Sequence, residues 1–301
     1  MRQLSGMLSA MATPLTSDGS QIDEDALREL VEGTIAAGVA GLIPAGSTGE
    51  FPSLSTEERK RLTTVVANQA RGRVTLVPQT GSTRTDVAID LSKHAESVGA
   101  DAVMVVQPYY EPMSLDEVFA YFEDISNAIS IPIMVYNIPS CTGVNLSPAF
   151  LARLGREIER VEYVKDSSGD LSQLQDLLYN YSDDVTTFNG WDTLTFSGLE
   201  LGSKGSVWGA VNLMPRQCVQ LFDLVQKGQL QEARLLWDKL WPVMHFLTTE
   251  GYNASVKAGA AIAGFRVGNP RRPQLPLSPE KVDRLRHLMV GAGAVRDLVP
   301  A

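Results

Sequence analysis

The repeated alternation of strand and helix patterns restricts the fold of this chain more than any other feature. Short apolar runs, many rich in β-branched residues, are followed by loops of Gly, Ser, Thr or Pro and then by amphipathic helical stretches. Eight predicted strands cover residues 6–12, 41–45, 75–79, 102–106, 132–136, 161–165, 185–189 and 205–208. Such alternation pairs strands in parallel, so the fold class is α/β and eight units predict a (β/α)8 TIM barrel. An open doubly wound sheet is the alternative, but no GxGxxG motif follows the first strand.

Helical patterns lie between the predicted strands and then continue alone to the end of the chain. Ser55 precedes one of them as an N-cap, with Glu58 at the third position, as in a capping box. The predicted helices cover residues 24–37, 56–70, 84–98, 115–128, 215–227, 229–248, 252–263 and 278–289. Because strand patterns stop near residue 213, we predict a barrel catalytic domain at 1–213 and a C-terminal helical domain at 214–301.

Charge and composition exclude several classes of function. The chain has 301 residues and a formal net charge of −9, which disfavours nucleic acid and anionic membrane surfaces as partners. It has only two cysteines and three widely separated histidines, so we expect no disulfide framework and no metal site. No apolar run is long enough to span a membrane and no signal peptide is evident, which predicts a soluble, cytoplasmic protein.

Lys165 is the most informative residue for function. It ends an apolar strand pattern and precedes a polar turn, in which Asp170 is the predicted cap of the next helix. The carboxyl ends of barrel strands carry the chemistry of such folds, so Lys165 is expected at a site. The alternative is a lysine paired with an acid at the barrel rim, such as Asp166 or Glu50, and position alone does not decide between the two readings.

Three other loops that follow predicted strands carry groups able to bind or react. In the segment 46–50 (GSTGE), the glycines let backbone N–H groups approach an anion, and Ser47 and Thr48 add hydroxyls. Tyr110 follows the fourth strand, and Tyr136 ends the fifth. The commoner role of such loops is a simple turn, and that of such tyrosines is packing, so none of these motifs is specific alone.

Together these groups suit the chemistry of a 2-oxo acid. Burial in an apolar barrel disfavours a charged ammonium, which leaves a free amine able to attack a carbonyl. The protonated imine withdraws electrons from the neighbouring C–C or C–H bond, and a tyrosine hydroxyl can transfer the protons. No step needs a cofactor.

The chain resembles the dihydrodipicolinate synthase and N-acetylneuraminate lyase family of Schiff-base enzymes. The resemblance is carried by motifs in the same order and spacing at 46–50, 108–110 (PYY), 136–140 (YNIPS), 164–170 (VKDSSGD) and 189–192 (NGWD). It implies a (β/α)8 barrel with C-terminal helices and a homotetramer. By this resemblance, Lys165 would form an imine with pyruvate and Tyr136 would relay protons. Ser47 and Thr48 would bind the carboxylate, and Tyr110 would be a tyrosine shared between subunits. The expected further substrate contacts are Gly49, Ser167, Gly190, Asp192 and Val207.

One departure from the family pattern concerns the second substrate. Cys141 stands where lysine-pathway synthases of this family typically have an arginine that meets the carboxylate of the incoming semialdehyde. We therefore expect a Schiff-base aldolase or lyase that joins pyruvate to, or cleaves it from, a neutral hydroxylated aldehyde. Thr193 and Gly209 replace the glutamate and serine usual in sialic acid lyases, which argues against a long polyol tail. Three alternatives stay open: a 4-hydroxy-tetrahydrodipicolinate synthase, a 2-keto-3-deoxy sugar-acid dehydratase, and a non-catalytic barrel that binds a 2-oxo acid.

Overall fold

Eight parallel strands form the centre of the protein. The computed structural model describes residues 3–295, and all statements about structure refer to that range. The strands are β1 (Gly6–Ala10), β2 (Gly41–Ile43), β3 (Thr75–Leu76), β4 (Val103–Val106), β5 (Ile133–Asn137), β6 (Val161–Asp166), β7 (Thr186–Asn189) and β8 (Gly205–Trp208). Their order in the sheet is β3-β2-β1-β8-β7-β6-β5-β4. Each strand therefore lies beside its neighbours in sequence, and β1 pairs with β8.

The sheet closes between β3 and β4 through residues just beyond β3. Gln79 forms a parallel bridge with Met104. Thr80 N donates to Met104 O at 2.8 Å, and Met104 N donates to Pro78 O at 2.9 Å. These bonds complete the ring, so the predicted TIM barrel is confirmed.

Helices cover the outside of the barrel and then extend beyond it. The predicted capping box of Ser55 and Glu58 is present, and a second box joins Ser114 and Glu117. The helices are α1 (Glu24–Ala36), α2 (Thr56–Ala70), α3 (Thr85–Ser97), α4 (Leu115–Ala128), α5 (Pro139–Thr142), α6 (Pro148–Glu157), α7 (Leu171–Asn180), α8 (Thr195–Glu200), α9 (Pro215–Gln226), α10 (Leu230–Thr249), α11 (Tyr252–Ile262) and α12 (Pro279–Gly291).

Several strands differ in length from the predicted runs. β1, β2 and β3 end two to three residues before the predicted runs do, although residues just beyond them keep single interstrand bonds, such as Met11 N to Ile43 O and Val77 N to Leu42 O. After β2 the chain turns at Ala45, which has a φ of 57°. β6 instead gains Asp166, whose backbone stays in register with Asn137 of β5 and Asn189 of β7. The strand patterns thus locate every strand, whereas loop geometry decides where each one ends.

Two apolar clusters form the interior. The first fills the barrel and the space between its strands and outer helices, with Leu8, Ile43, Val105 and Phe188 fully buried. The second joins Trp208 at the end of β8 to α9, α10, α11 and α12. The C-terminal helices therefore pack directly on one part of the barrel. The division into domains at residue 213 stays a prediction, and residues 296–301 of the predicted C-terminal domain lie outside the described range.

None of the helices between residues 3 and 295 is long and apolar enough to cross a membrane. Within the same residues, no cluster of three or more His, Cys, Asp or Glu side chains is arranged to hold a metal ion.

Candidate active site

Lys165 lies inside the barrel near the end of β6 and is 5% exposed. Its backbone is in register with Tyr136 on β5, and its Nζ atom lies 3.8 Å from the centroid of the Tyr136 ring. No carboxylate of residues 3–295 forms an ion pair with it. Glu50 pairs instead with Lys257, at 2.7 Å between Oε1 and Nζ. The lysine therefore points into the barrel mouth without a salt bridge, as a nucleophile would.

Asp166 has a structural role directly beside Lys165. Its Oδ1 accepts from Asn137 Nδ2 at 2.8 Å and from Gln173 Nε2 at 3.0 Å, and its Oδ2 accepts from Ser168 Oγ at 2.7 Å. Burial raises the pKa of this carboxyl, and the three side-chain hydrogen bonds oppose the rise. The network ties the ends of β5 and β6 to α7 and so holds the turn that follows Lys165.

Gly190 leaves the space that the lysine side chain occupies. A Cβ atom at this position would lie 2.7 Å from Lys165 Cε and would collide with Ser167 Oγ. Ser167 Oγ in turn donates to Gly190 O at 2.8 Å, which links the loop after β6 to the loop after β7. A side chain at 190 would displace the amine, so glycine is required here for steric reasons.

The segment 46–50 faces Lys165 from the other side of the barrel mouth. Ser47 Oγ lies 3.4 Å from Tyr136 Oη, while Thr48 is buried. Glu50 has a φ of 59° and carries the buried ion pair to Lys257 of α11, which anchors the end of this segment. Gly49 does not line the cavity: a Cβ there would meet Met11 O at 3.0 Å, so its role is close packing beneath the loop.

These groups line one cavity of about 430 Å³ at the carboxyl ends of the strands. Its charged lining side chains, among the described residues, are Lys165 and Asp192. The lining residues are Ala10, Ser47, Thr48, Tyr136, Ile138, Ser140, Cys141, Lys165, Ser167, Gly190, Trp191, Asp192, Val207, Gly209, Thr248, Tyr252, Asn253 and Gln274. Eight of the ten predicted site residues are therefore brought together.

Two predicted site residues lie elsewhere. Gly49 packs beneath the loop, as described above, and Tyr110 is 84% exposed and does not line the cavity of this single chain. Thr193, which stands where sialic acid lyases usually have a glutamate, is also absent from the lining. The cavity of a single chain is thus lined by Lys165, Tyr136 and the Ser47–Thr48 loop, but not by Tyr110, the tyrosine expected to be shared between subunits.

The C-terminal helices supply cavity residues that the sequence did not reveal. Tyr252 is the second residue after the break at Glu250 and begins α11, and its hydroxyl donates to Asp192 at 2.9 Å to Oδ2 and 3.1 Å to Oδ1. Thr248 of α10, Asn253 of α11 and Gln274 of the loop before α12 add neutral polar groups. Only the glycine before Tyr252 marks this position locally, and a glycine at a helix start is too common to indicate a site.

A model of the Dihydrodipicolinate synthetase family matches residues 3–291. The chain belongs to this family. The 4-hydroxy-tetrahydrodipicolinate synthase of Methanopyrus kandleri is 36% identical over 271 residues, which is 90% of each protein. The enzyme of the same name from Syntrophobacter fumaroxidans is 34% identical and is matched over 96% of this chain and 99% of its own length.

Solved structures of the family agree with the architecture. The 4-hydroxy-tetrahydrodipicolinate synthase of Methylacidiphilum fumariolicum superposes with a TM-score of 0.92 at 33% identity, over 97% of this chain and 96% of that one. Dihydrodipicolinate synthase of Acinetobacter baumannii, solved in complex with pyruvate, has a TM-score of 0.93 at 28% identity, over 97% and 100% of the two chains. Family membership confirms the predicted class: a lyase with a lysine Schiff-base mechanism of the pyruvate aldolase type.

Proposed function

We propose that this member of the dihydrodipicolinate synthetase family condenses pyruvate with a neutral hydroxylated aldehyde, or cleaves the resulting 4-hydroxy-2-oxo acid, through an imine at Lys165. The observation that carries the proposal is the charge of the cavity. Lys165 is the only cation among the described residues that line it, and the imine uses that amine. A second substrate that also bears a carboxylate would find no other cation there, whereas neutral hydroxyls would find many partners.

The pyruvate half of the reaction uses the inner part of the cavity. The Lys165 amine attacks the keto carbon, and loss of water gives the imine. Ser47 and Thr48 are the proposed donors to the pyruvate carboxylate. The Lys165 amine lies over the Tyr136 ring, whose hydroxyl is 3.4 Å from Ser47 Oγ, so Tyr136 is the proposed carrier of protons for imine and enamine formation. The pyruvate complex of the Acinetobacter baumannii relative supports pyruvate as the 2-oxo acid.

The acceptor aldehyde is assigned to the outer part of the cavity. There the side chains of Ser167, Asp192, Tyr252 and Asn253 offer hydroxyl, carboxyl and amide groups. Cys141 lies at the exposed rim, where a longer cationic side chain could reach an incoming carboxylate but a thiol cannot. These contacts favour a short polyhydroxy aldehyde and hence a 2-keto-3-deoxy sugar acid as the cleavage substrate.

A 4-hydroxy-tetrahydrodipicolinate synthase is the second candidate. It is supported by the names of the relatives, which are 34–36% identical to this chain in the two cases given above. The two candidates share the pyruvate imine and differ only in the aldehyde, so the choice between them depends on the outer cavity. A dehydratase acting on a 2-keto-3-deoxy acid would use the same imine.

Replacing Cys141 with arginine should change the aldehyde preference. A charge-assisted contact to the semialdehyde carboxylate contributes about 1.5–3 kcal/mol, or roughly 10- to 150-fold in rate constant. We expect Cys141→Arg to raise kcat/KM for aspartate semialdehyde by an amount in this range relative to glyceraldehyde, each measured at saturating pyruvate. Cys141→Ser is the control and should leave the ratio unchanged. A clear preference for aspartate semialdehyde in the unmodified enzyme would favour the synthase instead.

We further propose that the chain assembles into homotetramers in the cytoplasm and that Tyr110 completes the site of a neighbouring subunit. Its 84% exposure in the single chain is consistent with burial in an interface. Mixing inactive Lys165→Ala subunits with Tyr110→Phe subunits should then restore part of the activity, because some sites receive both native residues. Hybrid oligomers that form, as verified by native mass spectrometry, but remain as inactive as the parents would contradict a shared site.

A further inference from the structure

Glu50 and Lys257 form an ion pair inside the protein. Glu50 Oε1 lies 2.7 Å from Lys257 Nζ, and the two side chains are 1% and 2% exposed. In every other ion pair between residues 3 and 295, each side chain is at least 16% exposed. Removing two charges from water is costly, and an apolar pair of similar volume is often as stable. Stability alone therefore does not account for this pair.

The pair holds the end of the segment 46–50, whose Ser47 and Thr48 line the cavity. Glu50 N donates to Ser47 O at 3.0 Å, so the segment is closed into a tight turn. Glu50 itself has a left-handed φ of 59°, which is unfavourable for a residue with a side chain. Contacts from outside the segment must maintain this conformation, and the Glu50 carboxylate supplies two of them.

Both contacts of the Glu50 carboxylate come from the C-terminal helical region. Lys257 belongs to α11, and its Nζ also donates to Asn269 O at 2.9 Å. Arg271 N donates to the other carboxylate oxygen, Glu50 Oε2, at 2.8 Å. The Arg271 guanidinium donates to both carboxylate oxygens of Glu58, at 2.8 and 3.0 Å. A side-chain amide at position 50 has one acceptor oxygen, so it could not serve both donors.

We propose that the Glu50–Lys257 pair is a positioning unit for the carboxylate of pyruvate. Neither residue lines the cavity, so the pair acts through Ser47 and Thr48, whose orientation it fixes. This inference rests on the proposed function, which assigns the pyruvate carboxylate to those two residues. The C-terminal helices then set the affinity of the inner site for pyruvate, in addition to shaping the outer cavity.

The expected kinetic signature follows from the order of the steps. Before the imine forms, pyruvate is held only by noncovalent contacts, and a loosened segment 46–50 weakens those to its carboxylate. After the imine forms, Lys165 holds the same molecule covalently. Loss of the pair should therefore raise the pyruvate KM, whereas kcat at saturating pyruvate and the KM of the aldehyde should stay the same.

A second ion pair supplies the matched control. Arg266, in the loop after α11, lies 2.8 Å from Glu29 on α1. This pair also joins the C-terminal region to the barrel, but both side chains are exposed and neither contacts the segment 46–50. Glu29→Gln should therefore leave the pyruvate KM unchanged. The comparison separates a general link between the two parts of the chain from one that acts on the site.

The test uses Glu50→Gln and the double variant Glu50→Gln/Lys257→Met. The single variant leaves a buried ammonium without its carboxylate, which destabilises a fold, whereas the double variant leaves no charge at either position. The pyruvate KM of both should rise at least about 10-fold, the effect of losing one hydrogen bond to a charged group. The pyruvate concentration that gives half-maximal trapping of the imine with borohydride should rise by the same factor.

Trapping by the unmodified protein separates this inference from the proposed function. If the unmodified protein traps no pyruvate, the proposed function fails, and the inference with it. If trapping succeeds but the double variant keeps the original half-saturating pyruvate concentration, the inference alone is overturned. An equal rise in the aldehyde KM, or a lower kcat with an unchanged pyruvate KM, would also overturn it. A double variant that does not fold, as judged by circular dichroism, would show that the pair serves the fold instead.

Discussion

Replacing Lys165 with alanine should abolish turnover and remove the covalent adduct that pyruvate and borohydride form with the unmodified protein. The amine is the proposed nucleophile, and no other lysine among residues 3–295 lines the cavity. We expect a loss beyond about 10⁴-fold, larger than the contribution of one positioned acid or base, because the covalent route itself is removed. Peptide mapping of the reduced adduct provides the direct measurement, with one pyruvyl group expected at Lys165.

Two further variants make this result specific. Lys165→Arg keeps a long cationic side chain in place but cannot supply a neutral amine, so it should be as inactive as Lys165→Ala. Lys204→Ala removes an exposed lysine next to β8 and should retain both activity and the adduct. Lys165→Ala should fold normally, since its side chain borders an existing cavity and pairs with no carboxylate among the described residues. An adduct mapped to Lys204 or Lys257 would refute the assignment.

Replacing Tyr136 with phenylalanine should lower kcat on the order of 10²-fold while leaving the fold intact, the effect typical of a lost acid–base group. The ring is 3% exposed and lies under the Lys165 amine at 3.8 Å, and both features are kept by phenylalanine. What is lost is the hydroxyl 3.4 Å from Ser47 Oγ. Steady-state kinetics and the rate of pyruvate imine formation are the measurements, because the relay is proposed to act in that half of the reaction.

Comparing Tyr136→Phe with Ser47→Ala tests the same proposed relay, because Ser47 carries the hydroxyl next to that of Tyr136. Removing the Ser47 hydroxyl should slow imine formation and also weaken pyruvate binding, since that hydroxyl is a proposed donor to the carboxylate. Tyr136→Phe should slow imine formation with a smaller effect on pyruvate KM. A Tyr136→Phe enzyme with a rate near that of the unmodified protein would mean that the tyrosine only packs, and Tyr110 would be the next residue to examine.

Most of the barrel and the inner part of the site follow from local sequence patterns. Every predicted strand corresponds to an observed strand, because buried parallel strands require apolar runs regardless of their neighbours. Lys165 could be singled out for the same reason: it interrupts such a run next to a polar turn. Parallel strands in a closed barrel place their carboxyl ends on one face, so strand order alone predicts that the Ser47 loop, Tyr136 and Lys165 meet.

Side chains that reach across the structure could not be predicted in this way. Gln173 stands at the third position of α7 after the cap Asp170, where a capping box would turn it back to the cap, yet it donates to Asp166 instead. Glu50 was a possible partner of Lys165 and pairs with Lys257, which lies 207 positions further along the chain. Each choice depends on which buried partner is near, and local patterns contain no such information.

The sequence alone was sufficient for the α/β barrel and the family, and it singled out Lys165 as the proposed imine lysine, because each depends on short-range patterns or on motifs in a set order. The shape of the outer cavity was settled only when the C-terminal helices packed on the barrel and brought Tyr252 to Asp192, 60 positions apart in the chain. Burial, which is a property of the folded whole, then raised the pKa of Asp192 to about 7. The residues proposed for the pyruvate chemistry can therefore be identified from the strand patterns, whereas the proposed aldehyde site is formed only by tertiary packing.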